Sequence, residues 1–285
     1  KSLVTFQFAL SSLLVIGSLI ILNQLEYIQS KPAGFKPQQI INIPINLPAL
    51  RDQHETVIKE ISPLPGVISV SVSGNLPGGS DFGIPALAEG FTPENMPGMR
   101  VLVVDYHFRE TYGMTMAAGR GFSNEFGWDS ASYVINEEAA RQLGGRDPLT
   151  KTISMPALSR PAAPVIGVVK DFHFRSLHEN IGPLILFVPF SKSWFSTYSV
   201  RIAADGAGET IKRIEERWKQ FDPEHPFQYT FFDDTYRSLH DRDHRLSKLV
   251  NLFTGIGVFL VCLGLYSLAA LTTVQRTKEI GIRKV

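Results

Sequence analysis

The chain has 285 residues, 44% of them hydrophobic, and its 28 basic and 27 acidic side chains leave a net charge of +1. So even a balance gives no broad basic field for nucleic acid. A single cysteine, Cys262, rules out an intramolecular disulfide, so any domain here must hold together by its core.

The chain opens on an apolar run. After Lys1 and Ser2, Leu3 to Leu22 carry no charge, and a run of about 20 such residues can cross a bilayer core. A cleaved signal peptide would have a shorter apolar part and a small-x-small site after it, and the following NQLEYIQSKPAGF has no such site. Gly17 and Ser18 would let another helix approach closely, as small residues in spans commonly do. The expectation is a transmembrane helix over 1–23. An outward extension over 24–35 should stop at Lys31-Pro32, where proline clashes with continued helix.

IINIPIN (Ile40 to Asn46) alternates and reads as a strand. Leu50 to Ile61 reads as a helix with Leu50, Val57, Ile58 and Ile61 on one face. His54 shares that face, where a lone histidine is more often packed than functional. VISVSVSG (Val67 to Gly74) is a second strand, which completes a β-α-β unit. Asn75 to Gly98 is rich in Gly and Pro and reads as an exposed loop. Gly78 and Gly79 are not followed by GK[ST], and no Walker-type phosphate loop occurs in the chain, so any ATP is hydrolysed by another polypeptide.

Met99 to Phe108 reads as a strand, RETYGM as the start of a short helical turn, and AAGRGFSNEFG as a turn region. In SYVINEEAARQLGG a strand ends at Asn136, a helix cap. Glu137 and Glu138 suit the first turn of the helix that follows, and Gly144 closes it. Pro164 to Phe174 and Pro183 to Pro189 read as strands. Then the first pattern recurs: strand TYSVRI (Thr197 to Ile202), an amphipathic helix over Gly208 to Phe221, and strand FQYTFFD (Phe227 to Asp233). Two β-α-β units therefore open and close one layered α+β body, and their packing should bring the two ends of that body together.

Asp234 to Lys248 should form a stalk helix, with Tyr236, Leu239 and Leu246 near one stripe and no Gly or Pro before Gly255. It leads into Leu249 to Gln275, again free of charge, and so into a second transmembrane helix over 249–273. A buried helix of a large soluble protein is the plainer alternative, but two such runs favour membrane spans. Basic residues outside both runs place both ends in the cytoplasm and the residues between them outside. The chain reads as a piece of a longer membrane protein.

Asp171-x-His173, with His178 nearby and Asp105-x-His107 earlier, has spacing that could hold zinc. Each stretch supplies only two ligands, and a hydrogen-bonded pair in a sheet or turn is the weightier reading. No catalytic residue, metal ligand or cofactor is expected.

The closing RTKEIGIRKV is similar to the segment that follows a transmembrane helix in bacterial ABC-transporter permeases of the MacB/FtsX type. The span–external domain–span order, the split β-α-β pattern and VIGVVKDFHFRSLHENIGPLILFVP strengthen the resemblance, which extends to large permeases common in Bacteroidetes-like bacteria. It implies a periplasmic core with a Porter-like part at 36–74 and 185–233 and an inserted Sabre-like part at 75–184. It also implies further spans after Val285, a repeated unit, and a bacterial inner-membrane location with the central domain periplasmic. The implied mechanism is mechanotransmission, in which a separate cytoplasmic ABC ATPase moves the stalk and the external domain. The implied partners are that ATPase, membrane lipid, a second permease unit, and a periplasmic or outer-membrane protein. Residues 274–285 become an ATPase-coupling segment through Arg276, Lys278, Glu279, Ile280, Gly281, Ile282, Arg283 and Lys284. A two-span sensor with an external ligand-binding domain shares this topology, and a heptad-patterned linker after the second span would mark it.

Overall fold

The computed structural model describes residues 38–238 except 80–81, 89–90, 93–97, 145–146 and 175–179; of the terminal segments it describes 6, 9, 12–13, 16–21, 23, 249, 252–264, 266–267, 269–270 and 273. By its contacts the chain divides into two compact units, Pro32–Leu239 on the one hand and Lys1–Lys31 with His240–Val285 on the other. Residues 16–21 and 252–264 are helical. Among the described residues no helix is long and apolar enough to cross a membrane. The outer extension 24–35 and the coupling segment 274–285 lie outside the described residues, as do parts of both expected spans.

The larger unit is built on two sheets. The smaller sheet holds β1 (Ile40–Pro44), β2 (Val67–Ser73), β11 (Thr197–Ile202) and β12 (Thr230–Phe231) in the order β12-β1-β11-β2. All three neighbouring pairs are antiparallel, so two β-α-β units interlock as in the split β-α-β fold. The crossover helices are α1 (Pro48–Asp52) with α2 (His54–Ile61) in the first unit, and α5 (Ala207–Trp218) in the second. They bury Leu50, Val57 and Ile61, and Ile211, Ile214 and Trp218, in one core with Ile41, Ile43, Val70, Val72, Tyr198 and Val200. The strand residues alternate, because successive side chains on a strand point to opposite faces.

All of the larger sheet lies between β2 and β11 in sequence. Its order is β3 (Phe82–Pro85), β5 (Gly98–Val103), β10 (Leu184–Phe187), β7 (Tyr133–Asn136), β9 (Arg160–Val169), β8 (Thr152–Met155) and β4 (Leu87–Ala88), and β6 (Met116–Gly119) pairs with β9. Its central strands are apolar on both faces. Ile185 and Phe187 join the first core, while Leu184 and Leu186 join a second with Val104, Phe108 and Phe172. Burial on both sides accounts for the unbroken apolar runs in the sequence. Two further helices follow: α3 (Phe108–Tyr112) packs against β2 and β11 of the smaller sheet, and α4 (Glu137–Leu143) against β7, β9 and β10. The cap of α4 is as its sequence indicates. Asn136 accepts from the Ala139 N–H at 3.0 Å, acids fill the first turn, and Gly144 ends it.

Several expected elements differ. The helix expected from Leu50 to Ile61 is two helices, since Pro48 starts the first and Gln53 leaves helical geometry at φ −93° and ψ 16°. The expected loop from Asn75 to Gly98 contains β3 and β4, and the turn region after Met116 contains the end of β6. The strand expected from Pro164 to Phe174 starts at Arg160 and stops at Val169; the Lys170 N–H then turns to Thr115 O. The strand expected from Phe227 to Asp233 keeps only Thr230 and Phe231. Helix α6 (Phe232–Ser238) takes over with Asp233 and Asp234 in its first turn, where acids suit the helix dipole. Residue 185, the expected start of the closing part, falls inside β10 in the larger sheet.

Candidate functional site: the junction of the two sheets

Two connectors join the sheets. The first leaves β2 through Gly74 and Asn75. The Asn75 amide donates to Val101 O at 2.8 Å and accepts from the Val103 N–H at 2.9 Å, while the Gly74 N–H donates to Val103 O at 2.9 Å. One planar amide offering a donor and an acceptor thus serves β5 as a strand neighbour would. The second connector, 188–196, returns from β10 to β11. Ser196 donates its N–H to Ser73 O and its hydroxyl to Gly74 O, both at 2.8 Å. The connectors meet so closely at Gly74 that a Cβ there would lie 2.4 Å from Trp194 O and 2.9 Å from Val103 Cβ. A glycine is what allows this approach.

Asp105 is buried beside them. One carboxylate oxygen accepts from the Ser71 hydroxyl at 2.8 Å and the His107 N–H at 3.2 Å; the other accepts from the Val72 N–H at 3.1 Å. Since β2 is an edge strand, Asp105 receives a backbone donor that no further strand takes. Burial pushes its carboxyl up to about 6, against the opposing pull of these hydrogen bonds.

The same face of the smaller sheet carries a polar rung. Asn42, Ser199 and Ser71 are in register across β1, β11 and β2. Ser199 donates to Asn42 Oδ1 at 2.9 Å, and the Tyr112 hydroxyl of α3 lies 2.9 Å from Ser199 Oγ. Arg201 Nε donates to Thr111 O at 2.7 Å. Asn42 Nδ2, Ser69 Oγ, Ser73 Oγ and Thr111 Oγ1 are buried without a hydrogen-bond partner among the described residues. This is a seam, sparsely bonded in places, where α3 and α6 lie over the sheet.

Helix α6 is held in that seam by two rings at i and i+4. Phe232 meets Tyr112 edge-on at 5.2 Å and stacks on Tyr236 at 6.0 Å, and the Tyr236 hydroxyl donates to His173 O at 3.2 Å. Of the expected stalk residues, Tyr236 is therefore a buried anchor, while Leu239 and Leu246 lie outside the described residues. So do Arg276, Lys278, Glu279, Ile280, Gly281, Ile282, Arg283 and Lys284.

The Asp-x-His motifs separate. Asp171 and His173 lie beyond β9 and do not form a mutual pair. Asp171 accepts from the Asn136 amide and the Glu138 N–H, both at 2.9 Å, and from Arg141 at 2.7 Å, which ties the end of β9 to the start of α4. His178 lies outside the described residues, and among the described residues no three His, Cys, Asp or Glu side chains form a metal-holding group. His54 packs against Phe195 at 5.0 Å, and burial lowers its pKa. Sequence reasoning missed Gly74, Asn75, Ser196 and Tyr112. The Val-Ser alternation of β2 was the available signal, because it shows small polar residues on the face away from α2 and α5.

This architecture has a solved counterpart. The periplasmic region of MacB from Actinobacillus actinomycetemcomitans superposes with a TM-score of 0.50 at 15% identity, over 75% of this chain and 98% of that one. The chain has the MacB periplasmic fold. The extracellular domain of the noncanonic ABC-type transporter YknZ from Gram-positive bacteria is also similar, at TM-score 0.47 and 18% identity, over 67% of this chain and 98% of that one. No protein-family model matches the sequence, and no curated protein does.

Proposed function

We propose that the chain is part of a bacterial ABC-transporter permease, in which ATP hydrolysis on a separate cytoplasmic ATPase moves this extracytoplasmic domain. The observation that carries this reading is the MacB-type fold flanked in sequence by two apolar runs. Described residues of those runs expose large apolar side chains, among them Phe6, Leu13 and Leu19, and Leu252, Phe253 and Phe259. Such a concentration is suited to lipid. On this reading the runs are spans of the bacterial inner membrane and the sheets are periplasmic. The smaller sheet is the Porter-like part and the larger sheet the Sabre-like part.

Helix α6 is the first turn of the stalk. Displacement of the stalk reaches the sheets through Phe232 and Tyr236, and the polar seam accommodates it because hydrogen bonds there can exchange partners. Residues 276–284 dock on the ATPase, with Ile280 and Ile282 as apolar anchors and the charges setting register. A second permease unit and a periplasmic or outer-membrane protein complete the assembly.

Thiol accessibility tests the topology. In a Cys262→Ala background, Asp205→Cys should react with a membrane-impermeant thiol reagent on intact cells and Thr277→Cys should not. The opposite pattern overturns the reading. Coupling is tested with Ile280→Ala/Ile282→Ala, which should insert normally but lose co-purification with the ATPase. Wild-type recovery of the ATPase with that variant removes the coupling role from this segment.

A further inference from the structure

Arg160 opens β9 and is 4% exposed. Burying a guanidinium is costly unless an anion or a full set of acceptors compensates. Arg120 has Asp129, and Arg141 has Glu138 and Asp171. Among the described residues, no carboxylate is paired with Arg160. Its Nη1 donates to Val188 O at 3.0 Å, its Nη2 to Ser130 O at 2.5 Å, and its Nε reaches the Tyr133 hydroxyl at 3.4 Å. The guanidinium carbon lies 4.5 Å from the centroid of Phe187 and 4.3 Å from that of Phe190, so the rings recover part of the cost. Three of the five N–H groups are then used. One N–H on each terminal nitrogen has no acceptor among the described residues, and a carboxylate oxygen can take such a donor.

A cavity of about 220 Å³ opens beside this group. Phe187, Phe190, Trp194 and Leu158 give it apolar walls, and Ser159 and Ser191 add hydroxyls. Phe190 is 60% exposed, so solutes reach it from solvent.

We infer that this cavity binds the carboxylate of a ligand with an aromatic or branched apolar body, Arg160 taking the carboxylate and Phe190 and Trp194 the apolar part. The ligand is a free small acid or the C-terminal carboxylate of a polypeptide; both present the same chemistry. The site is on the connector from β10 to β11, since Arg160 holds Val188 O at its start and Trp194 O lies against Gly74 near its end. An occupied cavity therefore bears on the junction of the sheets. The inference does not depend on the permease reading.

Calorimetric titration of the full chain in lipid nanodiscs tests it, with empty nanodiscs as the blank. The probes are 3-phenylpropionate and its neutral amide, and acetyl-Ala-Ala-Phe with a free or amidated C-terminus. At least one acid should bind saturably, and at least tenfold more tightly than its amide. Tighter binding of the tripeptide acid identifies a chain terminus, and tighter binding of the small acid identifies a free acid. Arg160→Gln should weaken binding at least tenfold, with circular dichroism showing that the fold is kept. If that variant does not fold, Phe190→Ala, at an exposed position, should still weaken the acid at least threefold. No saturable binding of either acid, amides that bind as well as acids, or full binding by a folded Arg160→Gln variant each overturns the inference.

Discussion

The two faces of the smaller sheet share the strands β1, β2 and β11 and differ in what those strands present. Toward α2 and α5, Ile41, Ile43, Val70, Val72, Tyr198 and Val200 meet Val57, Ile61, Ile214 and Trp218 with hardly a polar atom between them. Toward α3 and α6, Asn42, Ser71, Ser199 and Asp105 form short hydrogen bonds amid polar atoms that lack partners among the described residues. Apolar burial is non-directional and close-packed, so the first face resists any change of shape. Hydrogen bonds are directional and exchangeable, with a small net contribution for each. One face fixes α2 and α5 to the sheet, and the other carries the hydrogen-bonded seam beneath α3 and α6.

The largest effect should come from the apolar face. Trp218 is 3% exposed and meets Tyr198 edge-on at 5.4 Å. Trp218→Ala should cost about 3–5 kcal/mol, the usual range for emptying such a site. The midpoint of denaturant unfolding would show it, with the slope unchanged. A loss under about 1 kcal/mol would mean that the cavity collapses readily and that this face is softer than its packing implies.

A second effect separates the faces by pH. Asp105 titrates near 6 in the folded chain, against an ordinary value of 3.8. The folded chain thus binds this proton more tightly than the unfolded one. Its contribution to stability is fully present below about pH 4 and is lost as pH rises through about 6. Two pKa units correspond to about 3 kcal/mol. Other carboxylates pull the other way, so the informative quantity is wild type minus Asp105→Asn across that window. The difference should slope downward with pH, whereas Trp218→Ala should leave the wild-type slope unchanged. If Asp105→Asn keeps that slope, the Asp105 proton is not its source.

The faces were not equally legible. The apolar face follows from period: Val70 and Val72, or Ile211, Ile214 and Trp218, declare their side at any glance along the sequence. Asn136 announces its cap for the same local reason, since donor and acceptor are three residues apart. The polar seam depends on distant partners. Ser71 meets Asp105 across 34 residues and Asn42 meets Ser199 across 157. No local pattern encodes that; the spacing of Asp105 from His107 showed only the local bond, in which Asp105 accepts the His107 N–H. Arg160 lies in SRPAAP, where two prolines interrupt any strand pattern. Its strand pairing is a hairpin with β8, where Met155 meets Arg160 and Ile153 meets Ala163, and the two prolines hide it. Strands β3, β4 and β8 are two to four residues long and exist because of their neighbours.

The smallest effect distinguishes polar groups within the seam itself. Ser199 sits in the middle of the rung: its proton goes to Asn42 Oδ1, so the proton between it and Tyr112 comes from the tyrosine. Ser199→Ala removes the donor to Asn42 Oδ1 and the hydrogen bond to Tyr112 at once, in a buried place. Leaving a buried polar group without its partner costs about 1–3 kcal/mol. Ser69 lies on the same face of β2, two residues from Ser71, but its buried hydroxyl has no partner among the described residues. Ser69→Ala removes an uncompensated polar atom and strands nothing, so it should be neutral or slightly stabilising. The substitutions delete the same atom from the same sheet face, so propensity and side-chain entropy nearly cancel between them. Their difference in unfolding free energy isolates the hydrogen bonds. A gap of at least about 1 kcal/mol is expected. Equal values would mean that the rung contributes only shape, and that the seam is held, like the opposite face, by packing alone.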